Sequence, residues 1–402
     1  FKQKTAYEIS LGLVGSEMCI RDRFENILTK INPDFLIMSE PTLHQQDLLY
    51  KMCKKTGTKT LLRTSLNTTR CAISENPRKL DLDIDLNTVQ SSNRSFDDLL
   101  TYRKSINSFD KIKDYRGNFK VSKVELLKSS LKFLSSENQH IKTHYTHRGR
   151  TKLDVLKDES RKKLARKRRY SFMENNLETE IEHNEKFVYF PLAVDEERNL
   201  LIAAPYYTNQ LEIIRDVVKA LPVGYKLYIK ENPNMWIRYW RDVDEYKEIM
   251  DIPNVRLYHP DVSAESLFQK CSLVITIGGS SGLDAAFYQK PSIVFTDLGY
   301  TALPSVSLVD NITDLPRIIR ESLQKEVSND DLDKYLKIVH DNSFDFDNLG
   351  FEKNYNSFFY HDGHYLSVEI QESKMSQFLK ENQVVLERLS SEYEKKITAH
   401  KK

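Results

Sequence analysis

The segment Leu273 to Phe295, LVITIGGSSGLDAAFYQKPSIVF, limits what this chain can fold into more than any other stretch. Its apolar run, Leu273 to Ile277, predicts a strand buried on both faces. The run breaks at Gly278-Gly279-Ser280-Ser281-Gly282. Leu283 to Tyr288 then predicts a helix, and Ser292 to Phe295 a second strand. Strand, glycine-rich turn and helix together place backbone N–H groups at a helix N-terminus. There they lack intrahelical partners and the dipole favours negative charge, so phosphate or another anion can bind. The small residues let a ligand come close to the backbone. Taken alone, the turn is as well read as a structural corner, because it is neither GxxxxGK[ST] nor GxGxxG.

The chain has 402 residues, room for two domains with separate cores. Its 60 Lys and Arg against 58 Asp and Glu leave a formal charge of +2, so nothing global points to nucleic acid. Cys19, Cys53, Cys71 and Cys271 form no CxxC pair or His-Cys spacing. Neither a disulfide framework nor a zinc site is indicated, and a reducing cytoplasmic setting is expected. No apolar run approaches the roughly 18 residues that span a bilayer. Residues 6–23, within AYEISLGLVGSEMCIRDR, look like a translated sequencing-adapter artefact. A signal peptide is the competing reading, but Glu8 and Glu17 interrupt any apolar core. On that expectation the natural chain starts near Phe24, and its first domain is partial.

From Phe24 the pattern is α/β. Phe35 to Ser39 predicts a strand, Leu43 to Thr56 a helix stopped by Gly57, and Lys59 to Arg63 a second strand, a parallel βαβ unit. Residues 77 to 118 are polar and suit a surface excursion. Val121 to Leu134 predicts a helix. The basic run Arg161 to Arg169, followed by acidic Glu174 to Glu185, reads as a solvated linker helix. Peripheral attachment to anionic lipid is the sharper alternative, but a strong apolar face is missing. A second series then alternates strands at Phe187, Tyr225, Val255, Leu273 and Ser292 with helices, which predicts a doubly wound parallel sheet. The expected division is 24–145, a partial N-terminal Rossmann-like domain; 146–185, a charged linker; 186–328, a C-terminal Rossmann-like domain; and 329–402, a helical tail. In that tail the apolar positions from Phe378 to Leu389 predict a helix packed back on its own protein.

Ligands of such sheets bind beyond the carboxyl ends of the strands, where Lys230, His259 and Gly278 all fall. A cationic Lys230, a nearby amide at Asn232 and the Gly-Ser turn suit a diphosphate or a nucleotide monophosphate ester. Asp284, in the first helical turn, is either a favourable dipole charge or an acceptor for ribose hydroxyls.

Phe187 to Phe295 resembles the capsule polysaccharide biosynthesis family, which includes the bacterial capsule Kdo transferases. The resemblance rests on YFPL (Tyr189 to Leu192), APYYTNQ (Ala204 to Gln210), LPVGYKLYIKENP (Leu221 to Pro233), IPNVRLYHP (Ile252 to Pro260) and TIGGSSGLDAAFYQKPSIVF. NPDFLIMSEP at Asn32 to Pro41 resembles the end of the family's N-terminal domain. The resemblance implies a GT-B architecture of two Rossmann-like domains facing a cleft. It implies metal-independent transfer, with no cofactor, from a nucleotide sugar, CMP-Kdo or the like, to a glycan or lipid-linked glycan acceptor. Capsule-assembly proteins or the inner membrane face would be peripheral contacts. By position, Lys230 faces the donor phosphate, Ser280 and Ser281 bond it, with Gly278, Gly279 and Gly282 shaping the loop, and Asp284 stands where the family usually has Glu.

Two positions depart from the pattern. The His of the family's Lys-Glu-His-Pro motif is Asn232, which donates a hydrogen bond but carries no proton near neutral pH. Ala193 stands where His or Gln is frequent, and Glu196 or Glu197 is the candidate for a nearby carboxylate. For a general base from the N-terminal domain, Glu40 is the best-placed carboxylate, although a solvent-facing Glu before Pro41 fits as well. His259 either lines the cleft or is an ordinary loop histidine. A sugar-nucleotide epimerase of the same architecture, and a catalytically weakened nucleotide- or glycan-binding scaffold, are the competing functions.

Overall fold

A computed structural model describes residues 6–76, 80–82, 84–106, 127–128, 131, 151–181, 185–194, 198–233, 241–361, 365–366 and 371–400. The helix expected over Val121 to Leu134 lies largely outside these residues, and Glu196 and Glu197 lie wholly outside them.

The N-terminal part holds α1 (Ala6–Ile31), β1 (Phe35–Ser39), α2 (His44–Thr56), β2 (Lys59–Ser65), β3 (Arg70–Ser74) and α3 (Phe96–Ser105). β1 and β2 are parallel, with Phe35 opposite Lys59. α2 stops at Gly57, whose φ of 83° is the left-handed conformation glycine adopts without Cβ strain. β3 was not foreseen. It returns antiparallel to β2 after a loop of four residues, Leu66 to Thr69, with Ser65 opposite Cys71.

The long helix α4 (Lys152–Asn176) leads to β4 (Lys186–Pro191), α5 (Arg198–Leu201), α6 (Gln210–Ala220), β5 (Tyr225–Lys230), α7 (Val243–Met250), β6 (Val255–Tyr258), α8 (Ala264–Lys270), β7 (Leu273–Thr276), α9 (Ser281–Phe287), β8 (Ser292–Val294) and β9 (Val306–Leu308). These six strands form one sheet in the order β6-β5-β4-β7-β8-β9, and every pairing is parallel. Counted from β4 the order is 3-2-1-4-5-6, that of the Rossmann fold, with its switch point between β4 and β7. Alternation along the strands sends Val188, Phe190, Ile229 and Ile275 to one face, under Ile213, Ile214 and Val217 of α6. Phe187, Tyr189, Tyr228 and Val274 go to the other face, against Leu267 and Phe268 of α8 and Ala285 of α9. α4 carries the basic run. It is docked rather than merely solvated, since Arg169 is 5% and Met173 1% exposed.

The remainder is α10 (Leu315–Ser322), α11 (Asn329–Asp341), β10 (Phe344–Asp345), α12 (Asn348–Phe359), β11 (Tyr360–His361), β12 (Tyr365–Leu366), α13 (Glu372–Glu381) and α14 (Gln383–His400). Two features correct the expected division of the chain. First, residues 84 to 106 are not a surface excursion of the first domain. Leu99 is fully buried in a cluster with Ala286, Phe287, Tyr300 and Leu332, joined by Ile84, Leu86 and Leu100, so α3 belongs with the C-terminal sheet. Its few apolar residues are too sparse to show a period in the sequence. Second, the tail is part of the N-terminal unit. β10 pairs antiparallel with β3, and Val385, Leu389, Tyr393 and Ile397 of α14 cover Leu61, Ile73 and Phe346. The N-terminal sheet is therefore mixed, in the order β1-β2-β3-β10, with one parallel pair. Among the described residues no helix is long and apolar enough to cross a membrane.

Candidate functional site

Lys230 ends β5, His259 follows β6 and the Gly-Ser turn follows β7, so all three lie along the carboxyl edge of the parallel sheet. Lys230 is only 4% exposed. Its ammonium makes no hydrogen bond or ion pair among the described residues. Burial pushes its pKa down to about 8, against the pull of the Glu231 and Asp261 carboxylates. An amine so weakly compensated gains most from a bound anion.

Glu231, next in the chain, was overlooked by sequence reasoning. It is fully buried and pairs with Arg241 at 2.6 Å, the two side chains being 0% and 2% exposed. The hydroxyl of Tyr246 donates to the same carboxylate at 2.6 Å, and the backbone N–H of Asn232 donates to its other oxygen at 2.5 Å. Arg241 also reaches the carbonyl of Ala193 at 3.4 Å. Gln210 brackets Ala193, accepting from its N–H at 2.8 Å and donating to its carbonyl at 2.9 Å. These side chains thus fix the backbone beyond the ends of β4 and β5, on one side of the switch point. A buried Glu demands a buried cation, but no spacing rule singles out Arg241 in advance.

The turn after β7 is compact for a different reason from the one expected. Gly278, Gly279 and Gly282 all keep negative φ. A Cβ on Gly278 would come within 2.8 Å of Thr296 Cγ2, and one on Gly282 within 2.7 Å of the Tyr300 hydroxyl. Protein neighbours alone therefore require glycine at both places. Tyr300 Oη donates to the Gly279 carbonyl at 2.6 Å, and Ser292 Oγ to the Gly282 carbonyl at 2.8 Å. Gly282→Ala is expected to lose about 1–3 kcal/mol through overpacking, with a matching fall in thermal midpoint. An unchanged midpoint would show that the Tyr300 ring gives way.

Asp284 is engaged within the protein. Its Oδ1 pairs with Arg103 Nε at 2.6 Å, and its Oδ2 accepts from Ser280 Oγ at 3.5 Å. Both oxygens have protein partners, which gives the carboxylate a role within the protein beside the dipole reading. His259 is 4% exposed. Its Nδ1 accepts from the Asp261 N–H at 3.2 Å, its Nε2 lies 3.6 Å from Glu174 of α4, and its N–H donates to the Glu178 carbonyl. It is held beneath α4.

A cleft of about 620 Å³ separates the two units. Glu40, Asp47, Tyr50, Lys51, Thr64 and Ser65 stand on the N-terminal wall, and Gly278, Ser280, Thr296, Asp297 and Tyr300 on the other. The structure thus sets Glu40 on the wall facing Gly278 and Ser280. Lys230, Asn232, His259 and Asp284 are not among the lining residues. Thr64 Oγ1, 94% enclosed as part of a residue 6% exposed, has no hydrogen-bond partner among the described residues. No sequence signal marked Thr64.

A Rossmann-like sheet whose carboxyl edge opens on a cleft with a second α/β unit defines an α/β protein built to bind between its two halves. The chain belongs to the capsule polysaccharide biosynthesis protein family, which it matches over residues 85–303. The match starts just before α3 and ends just after Tyr300. No curated protein matches the chain. Among solved structures it is similar to KpsC, a beta Kdo 2,7 transferase of Thermosulfurimonas dismutans, at 10% identity over 80% of this chain and 90% of that one, with a TM-score of 0.34. It is similar to the UDP-GlcNAc 2-epimerase of Methanocaldococcus jannaschii at 13% identity, 80% and 78% coverage and a TM-score of 0.30. The Neisseria meningitidis UDP-GlcNAc 2-epimerase gives 13%, 85% and 82%, and 0.28.

Proposed function

We propose that this protein is a metal-independent glycosyltransferase of capsule assembly. It moves a sugar from a nucleotide-activated donor, CMP-Kdo or a similar compound, to a glycan or lipid-linked glycan acceptor. The observation that carries this reading is Lys230, a buried ammonium without an ion-pair partner among the described residues, on the same sheet edge as the Gly-Ser turn. Lys230 neutralises the leaving phosphate, and the turn from Gly278 to Gly282 supplies directional donors. Glu40, across the cleft, is the proposed general base for the acceptor hydroxyl. Asn232 orients the donor without transferring a proton. Work on a lipid-linked acceptor places the protein in the cytoplasm at the inner membrane face.

Titration calorimetry with CMP and UDP tests the reading. The protein should bind one of them, and Lys230→Ala and Ser281→Ala should each weaken binding about tenfold or more, as expected on losing a charged or a directional partner of a phosphate. Binding of neither nucleotide would sink the proposal, as would affinities indifferent to both substitutions. Turnover of a nucleotide sugar with no acceptor present would favour the epimerase instead.

A further inference from the structure

The segment from Ser91 to Ser105 is pinned to the C-terminal unit at both ends. At its start, Asp333 of α11 is fully buried and takes Arg94 Nε at 2.5 Å, the Ser92 N–H at 2.5 Å and Ser91 Oγ at 2.9 Å. Asn329 donates to the Arg94 carbonyl at 2.9 Å. Ser95 and Asp98 form a capping box that starts α3 at that anchor. In the middle, Leu99 is buried against Ala286 and Phe287 of α9. At the far end, Arg103 meets Asp284 at 2.6 Å, the side chains being 23% and 16% exposed, and Lys104 meets the more exposed Glu265 at 2.8 Å. α3 is therefore a fixed bar laid across α9, the helix that follows the Gly-Ser turn.

Asp284 links that bar to the turn. One oxygen takes Arg103, the other takes Ser280 Oγ, and the Asp284 N–H donates to the Ser280 carbonyl at 2.8 Å. Ser280 itself lines the cleft. Burial works against the Arg103 charge, but the Asp284 carboxylate outweighs it and raises the guanidinium's pKa. Without Arg103, a negative charge would stand four residues from Ser280, with the long 3.5 Å Ser280 Oγ contact left to hold its rotamer. It would repel an anion at the turn and loosen the turn.

We infer that Arg103 is a positioning residue for the anion-binding turn: it neutralises Asp284 and, through it, holds Ser280 in place. This rests on the reading that the turn takes the donor phosphate. It also accounts for α3 as part of the working C-terminal unit rather than of the acceptor domain.

The test combines hydrogen exchange of the ligand-free protein with nucleotide binding. In Arg103→Gln, amides from Gly278 to Asp284 should exchange at least about fivefold faster, with amides near Asp333 unchanged. CMP or UDP should bind roughly tenfold more weakly, as for one uncompensated like charge near a bound anion. Adding Asp284→Asn to Arg103→Gln should restore most of the affinity, because the repelling charge is gone; a purely structural role for Arg103 would not allow that rescue. Arg103→Lys should keep most of the affinity. Unaltered exchange from Gly278 to Asp284 in Arg103→Gln would overturn the inference, as would a double variant no better than the single one. If the unaltered protein binds neither nucleotide, the functional reading fails, while the exchange data still decide whether Arg103 holds the turn.

Discussion

Arg241→Ala should destabilise the protein by about 3–5 kcal/mol, the cost of leaving one member of a buried ion pair alone. For a unit of 150–250 residues that corresponds to a fall in thermal midpoint of roughly 6–20 °C. The size follows from geometry. Arg241 and Glu231 are almost wholly out of water and 2.6 Å apart. Without the guanidinium, the Glu231 carboxylate keeps, among the described residues, the Tyr246 hydroxyl and the Asn232 N–H as donors. Neither brings a full positive charge. The Ala193 carbonyl also loses a donor at the switch point. If the loss comes from the stranded charge, Glu231→Gln combined with Arg241→Met should recover most of it, because the neutral amide strands no charge, its oxygen can still accept from the Asn232 N–H while its NH2 donates to the Tyr246 hydroxyl oxygen, and Met fills much of the arginine's volume. Urea denaturation of the four proteins in the cycle measures this. A loss below about 1 kcal/mol for Arg241→Ala would show an exposed pair, which is worth little.

The two halves of the fold were unequally legible in the sequence. Phe187 to Phe295 announces itself because a parallel sheet covered on both faces must be made of continuous apolar runs separated by turn residues. β4 to β8 all lie within a residue or two of where those runs predict them. β9, Val306–Leu308, is a three-residue edge strand too short to leave such a run. β10 was invisible for a related reason: its partner is set by antiparallel pairing of Phe344 with Cys71, more than 270 residues apart in sequence. No local period encodes that distance.

The site was legible as a set of positions and less so as a set of contacts. Lys230, His259 and the turn were placed on one sheet edge from strand ends alone. What their side chains touch depends on elements remote in sequence. Arg103 takes Asp284 from 181 residues away, and α4 covers His259. Glycine spacing signals close approach but not of what, so Gly282 read as room for a ligand where the structure has Tyr300.

Lys230→Met should make the protein more stable at neutral pH and at the same time weaken its anion binding about tenfold. The ammonium's fall from an ordinary 10.5 to about 8 corresponds to about 3 kcal/mol of burial cost. That cost is fully present below pH 8, where Lys is charged in the folded and the unfolded chain. Between pH 8 and the unfolded value near 10.4, the unfolded chain holds the extra proton, so this group makes stability rise with pH. A Met of similar length carries no charge to bury. Its variant should gain up to about 3 kcal/mol near pH 7, with the advantage shrinking toward pH 10. Binding runs the other way. Only the charged amine attracts phosphate, so nucleotide affinity should fall about tenfold between pH 7 and pH 9 as Lys230 titrates. Lys230→Arg, protonated throughout that range, should flatten the profile, and Lys230→Met should be weak and flat. Calorimetry across pH and denaturation at pH 7 and pH 10 measure both arms. A Met variant less stable at pH 7, or an affinity constant from pH 7 to pH 9 in the unaltered protein, would show that Lys230 is not the strained cation its burial describes. Residues kept at the expense of stability mark functional sites, and the opposite signs of these two effects would place Lys230 among them.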